Sequence, residues 1–222
     1  MDDIKNFNVR SINKDQTKEW LRYKHYAKRI PPMSYTFGLF NDKELIGVCT
    51  YGTPISKELC NNACGEKYRD CVIELNRLVV EDNLPKNSLS FFVSQTFFLL
   101  PKPKIIVSYA DTKQNHTGYI YQATNWIYTG LTQKNYDWKL KGTNKHSRTL
   151  NGQYNAEYMS NHPDRFEKVA RSQKHRYFMI LASKKLRNNL IKNLGYPKQP
   201  YPKGDNKRYD SSYKITKQLN MF

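Results

Sequence analysis

Three stretches of the chain gather residue types that could do chemistry. In Val107-Ser108-Tyr109-Ala110-Asp111-Thr112 a run of strand formers ends on a serine, a tyrosine and an aspartate. Polar groups leaving the carboxyl end of a buried strand are well placed to meet a ligand. An aspartate beside an aromatic ring can accept a hydrogen bond from an exocyclic amine while the ring stacks on a nucleobase, which is how extruded bases are read. The alternative is a capping Asp111 and a packed Tyr109. In the second stretch, Glu74-Leu75-Asn76-Arg77-Leu78-Val79-Val80 feeds a loop, Pro85-Lys86-Asn87-Ser88, and then an apolar helix. The first-turn N–H groups of such a helix lack partners and its dipole favours negative charge. Leu78, Val79 and Val80 together with Asn87, Ser88, Leu89 and Ser90 therefore form a candidate anion cradle, able to hold a pyrophosphate. No glycine-rich pattern reinforces it, and an ordinary strand-to-helix turn is the alternative. The third stretch, His116-Thr117-Gly118-Tyr119-Ile120-Tyr121-Gln122-Ala123-Thr124-Asn125-Trp126, sets Tyr121 inside a short helix, followed by an aromatic residue that opens a strand.

These groups need a frame to hold them. Apolar spacing predicts a helix over residues 15–29, with Trp20, Leu21 and Tyr23 on one face. Phe37–Phe40 and Leu45–Tyr51, separated by Asn41-Asp42-Lys43-Glu44, read as a β-hairpin. Cys71–Val80 alternates as a strand, with Val72, Glu74 and Asn76 on one face and Ile73, Leu75 and Arg77 on the other. Ser88–Leu100 is an apolar helix with Asn87, Ser88 or Ser90 as its N-cap, and Lys104–Tyr109 is a buried strand. A short helix over Gly118–Asn125, strands over Trp126–Gly130 and Arg176–Leu181, and a basic helix over Ser183–Asn193 complete the pattern. This order implies an α/β domain with parallel neighbours at the centre of its sheet, and ligands at the carboxyl ends of those strands.

At 222 residues the chain suits one domain with a modest appendage, and 17 Tyr and 10 Phe exclude a disordered polypeptide. Its net charge of +18 favours a polyanionic partner. Residues 165–222 hold 15 of the 37 Lys and Arg against three of the 19 acids. We accordingly divide the chain into a catalytic domain, 1–182, and a basic helix with a Pro-rich arm, 183–222. The longest apolar run, Phe91–Leu100, is too short for a bilayer and argues against a membrane partner, and no secretory pattern opens the chain. A cytoplasmic protein is expected. The four cysteines, Cys49, Cys60, Cys64 and Cys71, are expected as free thiols or metal ligands. Cys60 and Cys64 lack a second pair at zinc-finger spacing.

The strand, loop and helix from Ile105 to Trp126 resemble the core of the GNAT acyltransferase superfamily, with its mixed central sheet flanked by helices. More narrowly, the segments 24–31, Phe37-Gly38-Leu39-Phe40, 45–54, Glu74-Leu75-Asn76-Arg77-Leu78, Ser108-Tyr109-Ala110-Asp111 and 172–177 together resemble the phage Mom proteins. That resemblance spans residues 20–182. It implies an enzyme that converts adenine in double-stranded DNA to N6-carbamoylmethyladenine and so shields phage DNA from restriction, acting in the host cytoplasm if phage-encoded. It puts His25, Tyr26, Arg77, Ser108, Asp111 and Tyr121 around the reaction centre, with Tyr109 stacking on the base. Asp111 then accepts the amine N–H and Tyr121 protonates the leaving group. Arg77 pairs with Asp111, a phosphate or a structural partner. His25 is a base, an iron ligand or structural. Lys174, His175 and Arg176, with Lys184, Lys185 and Arg187, would contact DNA phosphates.

The family is associated with acetyl-CoA and with iron, whereas another GNAT branch takes an aminoacyl donor, whose glycyl group would supply the carbons and nitrogen of the product. The loop 81–90 lacks the Gln/Arg-x-x-Gly-x-Gly pattern of GNAT acetyltransferases, and the implied product is an alkylated amine rather than an acetamide. Direct acetyl transfer therefore does not explain it. A homodimer is compatible with the chain. Two rivals stand beside this reading: an acyl-CoA-dependent N-acetyltransferase of a small amine or protein, and a non-catalytic nucleic-acid-binding protein.

Overall fold

A computed structural model of the chain describes residues 4–143, 145 and 147–204. The elements run β1 (Phe7–Ser11), α1 (Lys14–Glu19), β2 (Tyr35–Asn41), β3 (Glu44–Gly52), α2 (Lys57–Cys64), β4 (Val72–Val80), α3 (Ser88–Leu99), β5 (Lys104–Asp111), α4 (Tyr119–Ala123), β6 (Ile127–Leu131), β7 (Asn135–Leu140), α5 (Ser147–Gln153), α6 (Ala156–Asn161), β8 (Phe166–Arg171), β9 (Lys174–Leu181) and α7 (Lys184–Lys192). Seven strands form one mixed sheet in the order β1-β2-β3-β4-β5-β9-β6, while β7 and β8 pair apart. β4 and β5 are parallel neighbours at its centre, and every other pairing is antiparallel. The α/β class and the central parallel pair agree with the sequence reading.

Both faces are covered. On one, Phe92 and Val93 of α3 and Tyr121 of α4 pack on Ile73, Leu75, Ile106, Tyr177 and Met179. On the other, Leu59, Ala63 and Cys64 of α2 and Leu190 of α7 pack on Val72, Ile105, Val107, Phe178 and Ile180. The alternation of apolar residues along β5 and β9 is what gives each strand two buried sides.

Several expectations need correction. The helix expected over 15–29 ends early: α1 passes at Trp20 into a single π-type turn, and the His25 amide reaches back to the Trp20 carbonyl. The extra residue in that turn swings Trp20 and Leu21 onto Val48 and Val79, leaves Tyr23 exposed and releases the chain in extended form at His25. The sheet order, which the sequence reading did not address beyond its central parallel pair, sets β9 between β5 and β6. Residues 132–171, unassigned in the sequence reading, form an excursion in which β7, β8, α5 and α6 close a separate small core of Leu150, Met159 and Phe166.

The Pro-rich segment packs back onto the sheet as far as Pro202. Tyr196 stacks on Phe178 at 5.4 Å, the Gln199 amide donates to the Tyr128 carbonyl at 2.8 Å, and Tyr201 donates to the Trp126 carbonyl at 2.6 Å. The part of the expected arm from 205 to 222 lies outside the described residues. All four cysteines are free thiols, with Cys49, Cys60 and Cys64 buried among apolar neighbours.

Candidate active site

β4 and β5 pair at only three positions, Val72 with Ile105, Ile73 with Ile106 and Glu74 with Val107. Beyond Glu74 they part. β4 continues along β3, where an irregularity between Thr50 and Tyr51 leaves Asn76 as an extra residue between Leu75 and Arg77. The bulge is tied down at its side chain: Asn76 accepts from the Thr50 hydroxyl and donates to the Pro32 carbonyl at 3.0 Å. One inserted residue inverts the alternation downstream, because side-chain direction has a period of two. Arg77 thereby shares the face of Val79 and Glu74, whereas uninterrupted alternation predicts it opposite Glu74. This corrects the sequence reading.

The parted strands open a cleft of about 710 Å³. One end is walled by Leu78, Val79, Val80 and the start of α3, from Asn87 to Ser90. Asn87 takes a left-handed backbone (φ 71°), and its side chain makes no capping bond to the first turn of α3. The two serines bond locally, Ser88 to the Pro85 carbonyl at 2.6 Å and Ser90 to the Asn87 carbonyl at 2.9 Å. The helix N-terminus is thus left uncapped on the cleft, with Lys86 beside it, and these groups fit an anionic donor head group. Glu81 at this end forms an ion pair with Lys24.

The other end holds His25, Tyr26, Glu74, Arg77, Tyr109, His116, Tyr121 and Lys174. Tyr121 is fixed by α4, whose start at Gly118 (φ 84°) lies so close to Tyr177 that an added Cβ would sit 2.5 Å from its ring. Only glycine tolerates that approach with that backbone. Tyr121 Oη lies 2.7 Å from Ser108 Oγ, which lies 2.8 Å from the Leu75 carbonyl. Burial pushes the Tyr121 and Tyr109 phenols well above the ordinary tyrosine value. His25 is buried, its ring stacks on Tyr26 at 4.4 Å, and its Nδ1 accepts the Ala27 amide at 3.1 Å. Burial first, then Arg77 and His116, pull its pKa down to about 3, so the ring is neutral near pH 7. Arg77 donates to the Asn76 carbonyl at 2.6 Å and to the Arg29 carbonyl at 3.4 Å.

The structure thus brings His25, Tyr26, Arg77, Tyr109 and Tyr121 onto one cleft, with Ser108 directly behind Tyr121. Asp111 sits at the rim, near enough for its charge to act on Tyr26 and His116. Its carboxylate accepts the Lys113 amide at 2.9 Å and the Ser172 hydroxyl at 2.7 Å and lies 3.9 Å from Lys174 Nζ, the geometry of a capping and tethering group at the rim. It makes no pair with Arg77. Tyr109 is half-buried against the α2 and α7 side.

His175 bonds Tyr128 at 2.8 Å, and Arg176 lies 3.8 Å over the Tyr196 ring and donates to Thr129, so both are occupied within the fold. An iron site on His25 does not fit. Its Nδ1 is taken, and the described residues contain no group of three His, Cys, Asp or Glu placed for a metal. Two residues that the sequence reading left unassigned line the cleft, Glu74 and His116. A carboxylate on the half-buried stretch of β4 that also carries Asn76 and Arg77 was the available signal for Glu74. His116 is brought in by the loop after β5, for which no local pattern speaks.

Comparison with known proteins adds four matches. A family-level sequence model, described as the Mom protein family, matches residues 6–203. Methylcarbamoylase mom of Escherichia phage Mu is 28% identical over 208 residues, covering 90% of this chain and 85% of that one. Among solved structures, the putative acetyltransferase yncA from Salmonella typhimurium with acetyl-CoA aligns at a TM-score of 0.45 and 8% identity, over 80% of this chain and 95% of that one. An aminoglycoside acetyltransferase from Legionella pneumophila aligns at 0.45 and 10%, over 84% and 95%.

Proposed function

Because the chain belongs to the Mom protein family, we propose that it is a DNA-modifying transferase that places a carbamoylmethyl group on the exocyclic amine of adenine in duplex DNA, in the cytoplasm of the cell that holds that DNA. The name of the phage Mu relative supports the group transferred, and the net charge of +18 supports a polyanionic substrate. The observation that carries the reading is the cleft itself. One opening between β4 and β5 joins an uncapped helix N-terminus at one end to a buried tyrosine, a carboxylate and an arginine at the other.

An aminoacyl donor with an anionic carrier would be held by the amides of Leu89 and Ser90 and by Lys86. Attack of the adenine amine on a glycyl carbonyl, with the carrier leaving, gives N6-glycyladenine. That isomer holds every atom of the N6-carbamoylmethyl product and reaches it by an internal rearrangement. The remaining work falls to the chain. Adenine's amine is a weak nucleophile because its lone pair is delocalised into the ring. Glu74, on the cleft wall, can accept its proton as the new bond forms, and Tyr121 can give one to the departing group. Arg77 offers positive charge to an oxygen that becomes anionic. His25, neutral and held by Ala27, shapes the wall and supports Tyr26. Asp111 keeps Lys174 and the root of the 132–171 excursion in place.

The test is mass spectrometry of nucleosides from cells expressing the chain. A heavier deoxyadenosine, absent with a Tyr121→Phe variant, supports the reading. Unmodified DNA together with acetylation of small amines by the purified protein would replace it with the acetyltransferase reading.

A further inference from the structure

Resting on the DNA reading above, we propose that Arg29, Lys113 and Lys174 hold the phosphates flanking the target nucleotide at the cleft mouth, and that Lys184, Lys185 and Arg187 at the start of α7 take no part in that contact. The three come from separate segments. Lys174, at the start of β9, lines the cleft, and its side chain is 42% exposed. Lys113 is exposed on the turn after β5, two residues past Asp111, and that turn leads to His116 on the cleft wall. Arg29 is exposed, and its carbonyl accepts from Arg77, which anchors it at the same end.

Asp111 organises two of the three, since it accepts the Lys113 amide and sits 3.9 Å from Lys174 Nζ. Between these cations stand aromatic side chains. Tyr26 is 38% and Tyr119 is 60% exposed, and Tyr26 meets His116 edge-on at 6.3 Å. Cations interleaved with exposed rings suit a backbone from which one base has been turned out.

The register of the sheet separates α7 from this site. β9 runs antiparallel to β5, with Lys174 opposite Asp111 and Leu181 opposite Lys104. α7 begins after Leu181, a strand's length of roughly 24 Å from the mouth at the rise of a β-strand. Arg187 accordingly lines a different, smaller hollow of about 400 Å³ with Lys102 and Ala182.

Duplex binding measured across a salt series tests this with three full-length proteins: the wild type, Arg29→Gln/Lys113→Gln/Lys174→Gln, and Lys184→Gln/Lys185→Gln/Arg187→Gln. Each lost phosphate contact lowers the slope of log K against log salt by about 0.9. The mouth variant should lose about 2 to 3 in slope, and the α7 variant should match the wild type. The single change Lys113→Gln, at a solvent-exposed side chain, should lose about 0.9 and guards against misfolding of the triple. A wild-type slope in a folded mouth variant, or an equal loss in the α7 variant, overturns the inference and leaves the DNA reading standing. A wild-type protein with no salt-dependent affinity for duplex overturns both.

Discussion

Tyr121 Oη and Ser108 Oγ lie 2.7 Å apart in the buried wall between α4 and β5. The serine hydroxyl carries one proton, and its other neighbour, the Leu75 carbonyl at 2.8 Å, can only accept. Ser108 can give that proton to only one of the two; given to Tyr121 Oη, it leaves the phenol's own proton to face the cleft.

Tyr121→Phe should therefore lower modification by roughly 10²–10⁴-fold while leaving duplex affinity intact. Ser108→Ala should cost less, and the double variant should be no worse than Tyr121→Phe alone, because both act on one proton. Additive losses in single-turnover rates would show that the two hydroxyls work separately.

The bonds of Asp111 lead to a forecast that reverses the sequence reading. Asn keeps an acceptor for the Lys113 amide and the Ser172 hydroxyl, so Asp111→Asn should retain most modification activity. Asp111→Ala removes the cap and should lower stability by about 1 kcal/mol. A folded Asp111→Asn protein with activity down a thousandfold would return the catalytic role to Asp111.

A carboxylate at the first turn of α3 should have opposite effects on stability and donor binding. Ser90→Asp complements the helix dipole and should stabilise the fold by about 0.3–1 kcal/mol. It also places negative charge where the anionic donor would sit, and should raise the donor KM at least tenfold with little change in kcat. Thermal melts and donor titrations read the two effects independently.

His25 also sets a pH dependence. Its folded pKa of about 3 lies below the ordinary value of 6.5, so between these pH values the unfolded chain binds the proton and the folded chain does not. Stability on this account is complete above about pH 6.5 and falls as pH drops toward 3, by up to about 1.4 kcal/mol per pH unit. His25→Gln should flatten that slope in denaturant titrations from pH 7 to pH 4. Burial also lowers the pKa of His116 and His175, so their share remains in the variant.

Much of the frame can be read from local pattern. The apolar run Ile105-Ile106-Val107, the apolar helix opened near Asn87 and the strand ending at Val80 require only periodicity and breakers, and all three stand where that pattern puts them. The strand-helix-strand crossover then makes β4 and β5 parallel neighbours, and so puts a ligand site at their ends. Ser108 and Tyr121 are legible for the same reason, one directly following the apolar run of a buried strand and the other held by a glycine-started helix.

The tertiary structure decided the rest, wherever the outcome depended on a partner distant in sequence. The face of Arg77 follows from a register mismatch between β4 and Thr50–Tyr51 of β3, and no alternation within β4 contains it. The tethering role of Asp111 depends on Ser172, 61 residues on, and the place of β9 between β5 and β6 closes the sheet across the 132–171 excursion. Where the local pattern is strong, as along β4, α3 and β5, the sequence by itself determined strand or helix, because that preference is a short-range property of each segment; it did not mark β1, α2 or the elements of 132–171. Which side chains meet across the cleft is settled by pairing and packing between segments, whose energies appear only once the chain has folded.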